Sequence, residues 1–441
     1  MNQVGLYPRN LTYMVKKLAN YSRNTFKIST LNQTTASPSQ QIIVDLPSNT
    51  LVDMNSLTMF FKYTTTGNSD LPRNVEGILQ RVETEINGQI VNGGANDINQ
   101  LWQIISDTSF GEDVTNRRKI LQKGTDATVP AASVSTATQC AIQTFLGFTS
   151  SVPIVNTRVL GNVRLRLTLA PASVMVKAAG VTTESFSLSD IFFSVDCFDL
   201  DNMFHEATEK YLASGGVIEI PFSNYFSFSS SASSLSQTAK FSLSTQSLNK
   251  VWGCFVTGAN YPAQATSATA ADFCNKNTNN SPFFTRVANG TVRYGQGGTN
   301  YQDITYAMTN YQWNINGTMY PNYKPTPEQA YALLMNAYNL SQDTLGGGYK
   351  GLDTLAKWGS DFWVCCQNFE HLSESGDRWL SGLDTRGNIA SGFWETQGSI
   401  TVPAATGTGG TNPASNLIAL IFAHCTSTLR VSYGRQIEVV Q

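Results

Sequence analysis

The chain has 441 residues, of which 41% are hydrophobic, 11% aromatic and only 14% charged. So low a charge content excludes a coiled coil or a helical repeat, and the many aromatic and β-branched residues exclude intrinsic disorder. A net charge of −2 provides no chain-wide basic field for nucleic acid, and no apolar run approaches the 18 residues of a membrane-spanning helix. The length predicts two domains, with three as the alternative.

The amino-terminal segment is basic. Residues 1–44 contain five basic residues and no acid, and apolar residues recur at helical spacing between Asn10 and Tyr21. One hypothesis is an arm, residues 1–38, that lies on an anionic surface or on a partner subunit. The other is an ordinary terminal helix packed on its own domain. The basic residues that would make the contact are Arg9, Lys16, Lys17, Arg23 and Lys27.

From Gln41 onward the pattern changes to period two and to β-forming residues. In Val163–Leu169 the apolar residues face one way and the polar residues the other, which predicts a half-buried strand of an antiparallel sheet. Asp201 is the predicted N-cap of a polar helix that ends near Gly215, and strands resume after it. The predicted strands are Ile42–Leu46, Leu57–Tyr63, Ile78–Ile86, Val163–Leu169, Phe186–Phe198, Val217–Phe222, Phe226–Phe228, Lys240–Leu243, Val251–Val256, Tyr311–Ile315, Phe362–Gln367, Leu417–Ala423, Leu429–Tyr433 and Gln436–Val440.

The chain contains an internal repeat with an offset of 229 residues. One strand ends in an Asn-Gly turn at Asn87 and another at Asn316, and a helix begins ten residues after each Asn. Both helices open with an Asp/Thr-x-x-Gln capping box and carry an aromatic residue two positions later, Trp102 in the first and Tyr331 in the second. The repeat predicts a duplicated β-domain, and Asn87 should superpose on Asn316 when the two halves are aligned. We expect Trp102 and Tyr331 to be mostly buried.

Seven cysteines are few for this length, odd in number and widely spaced. None forms a CxxC pair, and the neighbours Cys365 and Cys366 would point to opposite faces of a strand. We therefore expect buried free thiols in a reducing compartment. No secretory signal is visible at the amino terminus, so we expect the chain to fold in a cytoplasm.

No constellation of catalytic or metal-binding residues stands out. The three histidines, His205, His371 and His424, are isolated and have no partner at metal-ligand spacing, and no GxSxG nucleophile motif occurs. Glu83 and Glu85 share one strand face, but such neighbouring acids usually belong to a solvated face rather than to a glycosidase. The sequence therefore predicts no catalytic site, no cofactor and no metal site.

Three motifs resemble the major capsid proteins of the large eukaryotic DNA viruses. The first is the strand and turn Glu85–Val91, followed by the Trp-bearing helix. The second is the alternating strand Val159–Leu167, and the third is the strand Ile191–Asp201 with the helix that follows it. The motifs cover mainly residues 78–215, and the internal repeat supports the second half. The carboxyl-terminal segments and the shorter loops depart from the pattern of that family.

The resemblance implies a double jelly-roll major capsid protein of tailless icosahedral double-stranded DNA viruses, the lineage that includes adenovirus hexon and membrane-containing phages. The implied fold is all-β, with two tandem eight-stranded antiparallel jelly rolls and short helices in the loops and linker. The implied division is an arm at 1–38, a first jelly roll at 39–200, an interdomain helix at 201–215 and a second jelly roll at 216–441.

The resemblance also implies an assembly. In that family three chains form a homotrimeric, pseudo-hexagonal capsomer that tiles an icosahedral shell. The implied partners are the other chains of the trimer, neighbouring capsomers, and penton and minor capsid proteins. Through the basic arm, an internal membrane or the packaged genome would be a further partner. The implied location is the virion.

Two other classes of function stay open at this point. One is a carbohydrate-binding β-sandwich protein, such as a viral spike or a lectin-like module, because polar aromatic-rich loops also suit sugars. The other is a β-sandwich glycoside hydrolase, supported only by carboxylates and by tryptophans such as Trp358, Trp363 and Trp394. A trimer in solution favours the capsid protein, and a glycan-binding monomer favours the lectin.

Overall fold

The computed structural model describes residues 22–93, 95–109, 132–177, 181, 183–200, 202–257, 281–295, 301–338, 355–370, 382–386, 391–402 and 417–441. The first half contains the strands β1 (Ser22–Ser29), β2 (Gln41–Asp45), β3 (Leu51–Thr66), β4 (Ser69–Asp70), β5 (Leu79–Ile86), β6 (Gln89–Asn92), β7 (Thr138–Ile142), β8 (Ile154–Asn156), β9 (Val163–Leu169), β10 (Val176–Lys177) and β11 (Ser185–Asp199). Its helices are α1 (Ile98–Ser109), α2 (Phe148–Ser151) and α3 (Thr157–Leu160), and the linker helix is α4 (Asn202–Ala213).

The second half follows the linker helix. Its strands are β12 (Ile218–Ala232), β13 (Gln237–Ser242), β14 (Leu248–Thr257), β15 (Arg286–Val287), β16 (Asn289–Gly295), β17 (Tyr301–Ile315), β18 (Thr318–Tyr320), β19 (Cys365–Asn368), β20 (Ser391–Thr401), β21 (Leu417–Ser432) and β22 (Gln436–Val440). Its helices are α5 (Pro327–Ala337) and α6 (Leu355–Asp361). No helix in the described part of the chain is long and apolar enough to span a membrane.

Each half is an eight-stranded jelly roll. In the first half one sheet has the order β1-β11-β3-β7 and the other the order β2-β9-β5-β6, with β4, β8 and β10 added. In the second half the corresponding sheets are β12-β21-β14-β19 and β13-β20-β17-β18, with β15, β16 and β22 added. When each set of eight strands is numbered in chain order, both halves give 1-8-3-6 and 2-7-4-5, the jelly-roll order. The fold expected from the sequence is confirmed.

The predicted duplication is confirmed by strand pairing. The Asn-Gly turns at Asn87 and Asn316 join the fourth and fifth strands of their jelly rolls, and both Asn residues have left-handed φ angles, 49° and 51°. The fourth strand of each half also carries a bulge, at Gln80 in β5 and at Thr309 in β17. These bulges are again 229 residues apart, so the turn and the distortion of the strand repeat together.

Alternating apolar residues build the core. In β9 the residues that face inward, such as Leu165 and Leu167, are fully buried, while Arg164 and Arg166 on the other face are partly exposed. Most of the buried apolar side chains of both halves form one continuous cluster. Burial of an aliphatic side chain contributes roughly 1.5–3 kcal/mol, so the cluster stabilises both jelly rolls and the contact between them.

The structure differs from the sequence-based expectations at several strands. Strand β1 lies inside the segment assigned to the basic arm, so the first sheet already includes Ser22–Ser29 and does not start near residue 39. It was missed because its residues are mostly exposed and polar, which hides the period-two pattern. Two pairs of predicted strands are single long strands, β12 and β21. The predicted helix between residues 10 and 21 and the N-cap at residue 201 lie outside the described residues.

The two repeated helices differ in their caps. Thr326 and Gln329 form the predicted capping box of α5, since each side chain bonds the backbone of the other residue. In α1 the expected box is wrong: Asp97 has a left-handed φ of 55°, and the Gln100 side chain donates to the carbonyl of Phe283 in the second half. Tertiary packing therefore redirects the glutamine that the sequence assigned to a local cap.

Trp102 and Tyr331 also differ in burial. Trp102 is 5% exposed, as predicted. Tyr331 is 37% exposed, so the prediction that it is mostly buried is wrong. Its ring lies edge-on against Trp358, with the ring centroids 5.3 Å apart. A second aromatic residue therefore fills the interior position that Tyr331 was expected to occupy.

Candidate functional site

The histidines form no catalytic group in the described part of the chain. His205 lies on α4, with Nε2 2.9 Å from Oδ1 of Asp199. His424 lies on β21, where its ring stacks on Tyr225 and burial lowers its pKa to about 3. His371 is outside the described residues. No cluster of three or more His, Cys, Asp or Glu side chains that could hold a metal occurs among the residues that the structure describes.

The cysteines are buried free thiols, as expected, wherever the structure describes them. Burial raises the pKa of Cys197 to about 11 and those of Cys254 and Cys425 to about 12. A thiol with so high a pKa carries almost no thiolate at neutral pH, so it is a poor nucleophile and a poor metal ligand. The six described cysteines are Cys140, Cys197, Cys254, Cys365, Cys366 and Cys425, and Cys274 lies outside the described residues.

The tryptophans considered for a glycoside hydrolase belong to the core of the second jelly roll. Trp394 is fully buried between Trp313 and Trp363, at centroid distances of 5.6 and 6.4 Å. A Cβ atom at Gly253 would lie 2.8 Å from the Trp394 ring, so this glycine makes room for the indoles. Trp358 is also buried, at 4% exposure. These rings stabilise the fold and present no surface on which a sugar could stack.

The outer face of β2, β9 and β5 carries a ladder of ion pairs. The acids Glu83 and Glu85 were expected on a solvated face, but they are only 6% and 7% exposed and each is paired with arginine. A carboxylate held between arginines is not available as a general acid or a nucleophile. The pairs of the ladder are Asp45–Arg164 at 2.7 Å, Arg164–Glu85 at 3.8 Å, Arg81–Glu83 at 2.8 Å and Arg166–Glu85.

A buried carboxylate joins the two jelly rolls. Asp107, near the end of α1, accepts from Arg73 through Oδ1 and from Arg286 through Oδ2, the second contact at 2.7 Å. All three side chains are less than 9% exposed, and Arg286 comes from β15 of the second half. Buried ion pairs of this kind add little net stability, but the loss of one partner leaves a charge buried without compensation. Asp107 therefore holds the two halves at one relative position.

Apolar contacts surround this ion-pair group. Phe283 and Phe284 of the second half pack with Ala170 and Val174 of the first half in a separate buried cluster. On the neighbouring side of the junction, α2 meets β12 through aromatic and hydrogen-bonded contacts. These are the edge-to-face pair Phe148–Phe222, at 5.4 Å, and the bond from Ser223 N to Ser151 Oγ, at 3.0 Å.

Sequence reasoning missed the junction. Asp107, Arg73 and Arg286 are separated by up to 213 positions, so no local pattern links them. The available signal was Arg286 itself, a charged residue inside the mostly apolar run Phe283–Ala288. A buried arginine in such a run predicts a carboxylate partner but does not identify it.

The predicted arm residues are only partly within the described chain. Arg23 and Lys27 lie on the exposed edge strand β1 and contact its neighbour β11: Arg23 pairs with Asp196, and the Lys27 ammonium lies 4.3 Å from the ring centroid of Phe192. Hydrogen bonds from Thr25 and Arg23 hold the pKa of Asp196 below its usual range. Both basic residues thus contact their own jelly roll. The other predicted arm residues, Arg9, Lys16 and Lys17, lie outside the described residues.

The two jelly rolls point the same way. The end of β11, the linker helix α4, the start of β12 and the turn after β21 lie at one end, called the linker end here. Across it, Asn87 Nδ2 lies 3.5 Å from the carbonyl of Arg435, and Arg435 donates to the carbonyl of Arg158 at 3.3 Å. Strand β1 also starts at this end, since Ser22 pairs with Asp199. The described amino-terminal and carboxyl-terminal strands therefore both start at the linker end.

Comparison with known proteins agrees with this architecture. No family model matches the chain, and no curated protein matches it significantly. Among solved structures, a chain of the PBCV-1 virus capsid is similar at a TM-score of 0.58 and 15% identity, covering 97% of this chain and 98% of that one. The Faustovirus major capsid protein is similar at a TM-score of 0.56 and 9% identity, covering 94% of this chain and 91% of that one. A chain of the Sputnik virophage is similar at a TM-score of 0.52 and 12% identity, covering 100% of this chain and 93% of that one.

These identities are low, so the likeness shows the fold. It extends over nearly the full length of both chains in each pair, and includes both jelly rolls together rather than one of them. The chain therefore has the double jelly-roll fold of viral capsid proteins.

Proposed function

We propose that this chain is a major capsid protein that forms pseudo-hexagonal homotrimeric capsomers of an icosahedral shell. The observation that carries the proposal is the duplication: two jelly rolls of identical strand order stand side by side in one chain and are joined by a buried ion-pair group. Three such chains around a threefold axis place six similar domains in a ring, which is the outline needed to tile a shell. The fold shared with the Faustovirus and PBCV-1 proteins supports the same role.

The partners in this proposal follow from the assembly. They are the other chains of the trimer, neighbouring capsomers, and penton and minor capsid proteins. The protein would be made in the host cytoplasm and located in the virion. The fixed junction between the jelly rolls supports this role, because a capsomer that tiles a lattice needs its domains at one relative position.

The test is the native mass of the purified chain. We expect a species of three times the chain mass of 48.1 kDa, with a hexagonal outline of six density peaks in electron micrographs. A chain that stays monomeric at all concentrations, under conditions in which it is folded, would refute the proposal.

We also propose that the amino-terminal segment contacts an anionic partner, either an internal membrane or the packaged genome. Its support is the five basic residues in a segment without acids, and the start of β1 at the linker end. Each basic residue near an anionic membrane contributes about 1 kcal/mol, and salt weakens the effect. Arg23 and Lys27 already contact their own jelly roll, so the proposal assigns the contact mainly to Arg9, Lys16 and Lys17.

Flotation with anionic liposomes tests this second proposal. The triple change Arg9→Ala, Lys16→Ala and Lys17→Ala leaves β1 intact, and we expect it to abolish salt-sensitive binding of the folded trimer. The matched control is Arg23→Ala with Lys27→Ala, which we expect to keep most of the binding. Equal binding by the triple variant and the unchanged protein would refute the membrane contact, and retention of duplex DNA instead would identify the genome as the partner.

A further inference from the structure

A polar groove lies on the outer face of the second jelly roll, away from the junction. It has a volume of about 650 Å³ and is formed by β13, β20 and β17 with the segment that follows β18. Cross-strand pairing places Thr238, Glu395 and Gln312 in one row across its floor. Gln397 and Asn310 lie side by side in the next row, joined by a hydrogen bond of 3.1 Å.

The bulge in β17 shapes this groove. Thr309 is the extra residue that the bulge inserts into β17 opposite β20, and its hydroxyl donates to the carbonyl of Gln397 at 3.1 Å. Gly398 lies opposite, where a Cβ atom would be 2.7 Å from the backbone of Ala307 and Met308. Ser236 closes the margin by bonding both the N–H and the carbonyl of Gly398. The depression is therefore built into the backbone rather than left by a mobile side chain.

The lining is rich in amides and hydroxyls and carries little net charge. Its charged side chains are Lys324 and Glu395, and neither forms an ion pair within the described residues. Amide groups offer both a donor and an acceptor, which matches the hydroxyl groups of a sugar. Beside the groove, Tyr323 is half exposed, and its carbonyl lies 3.4 Å from Gln312 Nε2. This half-exposed aromatic residue precedes Lys324, which lines the groove, and an aromatic ring suits the apolar face of a sugar ring.

The position of the groove argues against two other ligand classes. Strand β20 forms its floor and is paired on both sides, with β13 and β17, so an added peptide strand could pair only with the outer edge of β13, beside the groove and not in it. A single lysine beside a carboxylate offers no basic surface for nucleic acid. The volume lies within the usual range of small-molecule sites, about 300–1,000 Å³.

We propose that this groove binds carbohydrate, in the form of a short oligosaccharide. The side chains of Glu395, on the floor, and of Lys324, from the segment after β18, would bond sugar hydroxyls, and the amides of the floor would fix the orientation of the rings. The proposal goes beyond shell formation, since it gives the second jelly roll a recognition site that the first does not share by sequence.

The experiment uses the purified full-length protein on an array of short neutral, N-acetylated and sialylated oligosaccharides. We expect a defined set of glycans to bind. The double variant Lys324→Ala and Glu395→Ala should then weaken the Kd for those glycans at least tenfold. Within the described residues neither side chain makes an ion pair, so the fold should persist. The matched control is Lys240→Ala, one row away on the same face, which should leave the Kd unchanged.

Each contrary outcome is distinct. If no glycan on the array binds, or if the double variant and the unchanged protein have equal Kd values, the proposal that the groove binds carbohydrate is refuted. A double variant that loses its trimer indicates that a neighbouring copy covers this face, which also refutes the carbohydrate site. A trimer that binds no glycan refutes this inference alone, whereas a glycan-binding monomer refutes the capsomer proposal alone.

Discussion

The outer faces of the two jelly rolls have the same backbone and different chemistry. At equivalent places the first half has the cross-strand row Asp45–Arg164–Glu85, and the second half has Lys240–Phe393–Asn314. The first row is part of an ion-pair ladder, and the second borders the polar groove. Strand pairing depends on backbone groups, so the outward side chains can change completely while sheet order and even the bulge persist.

The inner faces differ as well. The equivalent rows are Val44–Leu165–Thr84 in the first half and Ala239–Trp394–Trp313 in the second. The two indoles need far more volume than leucine and threonine, and Gly253 on the facing sheet provides part of it. Thus one topology accepts an aliphatic core or a tryptophan core, provided that large and small residues face each other.

The largest expected contrast is between Trp102→Ala and Tyr331→Ala, at equivalent positions of the repeat. Trp102 is buried, so its truncation should lower the free energy of unfolding by about 4 kcal/mol. Tyr331 is 37% exposed and mainly loses its contact with Trp358, which should cost about 1 kcal/mol. Urea unfolding of both variants measures the difference. Equal losses would mean that the two helices close their sandwiches in the same way.

The next contrast concerns the junction between the halves. Asp107→Asn removes the carboxylate charge that Arg73 and Arg286 share in the interior, and we expect a loss of about 3 kcal/mol. The control is Asp384→Asn, which breaks an exposed pair with Arg386 and should leave stability unchanged. Calorimetry should also resolve two transitions in the Asp107 variant, since the jelly rolls would unfold separately. A single unshifted transition would contradict the role of Asp107.

A smaller effect is expected on the outer faces. Glu85→Gln removes the carboxylate that faces Arg164 and Arg166, and should cost about 1–2 kcal/mol because Glu85 is buried. Asn314→Ala, at the equivalent place in the second half, removes one hydrogen bond to Gly317 N and should cost about 0.5 kcal/mol. Denaturant unfolding in low and high salt measures both. A salt-independent loss for Glu85→Gln would show that packing, not charge, maintains the ladder.

The last contrast depends on pH and is small near neutral pH. Burial lowers the pKa of His424 to about 3, against about 6.5 when unfolded. The folded chain therefore binds fewer protons than the unfolded chain between these values. The contribution of His424 to the free energy of unfolding is therefore complete above pH 6.5. As the pH falls below 6.5, this contribution is lost at a rate of at most about 1.4 kcal/mol per pH unit.

His424→Gln should flatten this dependence between pH 6.5 and 4.5, as measured by melting temperature across pH. Strand β11, the equivalent of β21 in the first half, contains no histidine. An unchanged pH profile in the variant would assign the acid sensitivity to other groups.

Much of the fold was predictable because it depends on local patterns. Strand β9 was predicted with its bounds, since its alternation is strict and one face is fully buried. Strand β1 was missed because an exposed edge strand needs no apolar alternation. Tyr331 was misjudged for a related reason: the sequence indicates that an aromatic residue is on the helix, but not that Trp358 occupies the interior beside it.

By itself the sequence determined the two β-domains, their gap-free repeat and the Asn-Gly turns, because these follow from short-range periodicity and from the φ angles that Asn and Gly accept. Only the tertiary structure decided that Asp107 joins both halves, that Gln100 bonds Phe283 instead of its own helix, and that one outer face is an ion-pair ladder while the other holds a groove. Those features are contacts between residues far apart in the chain, and the preferences of the individual residues do not specify which distant partner each will meet.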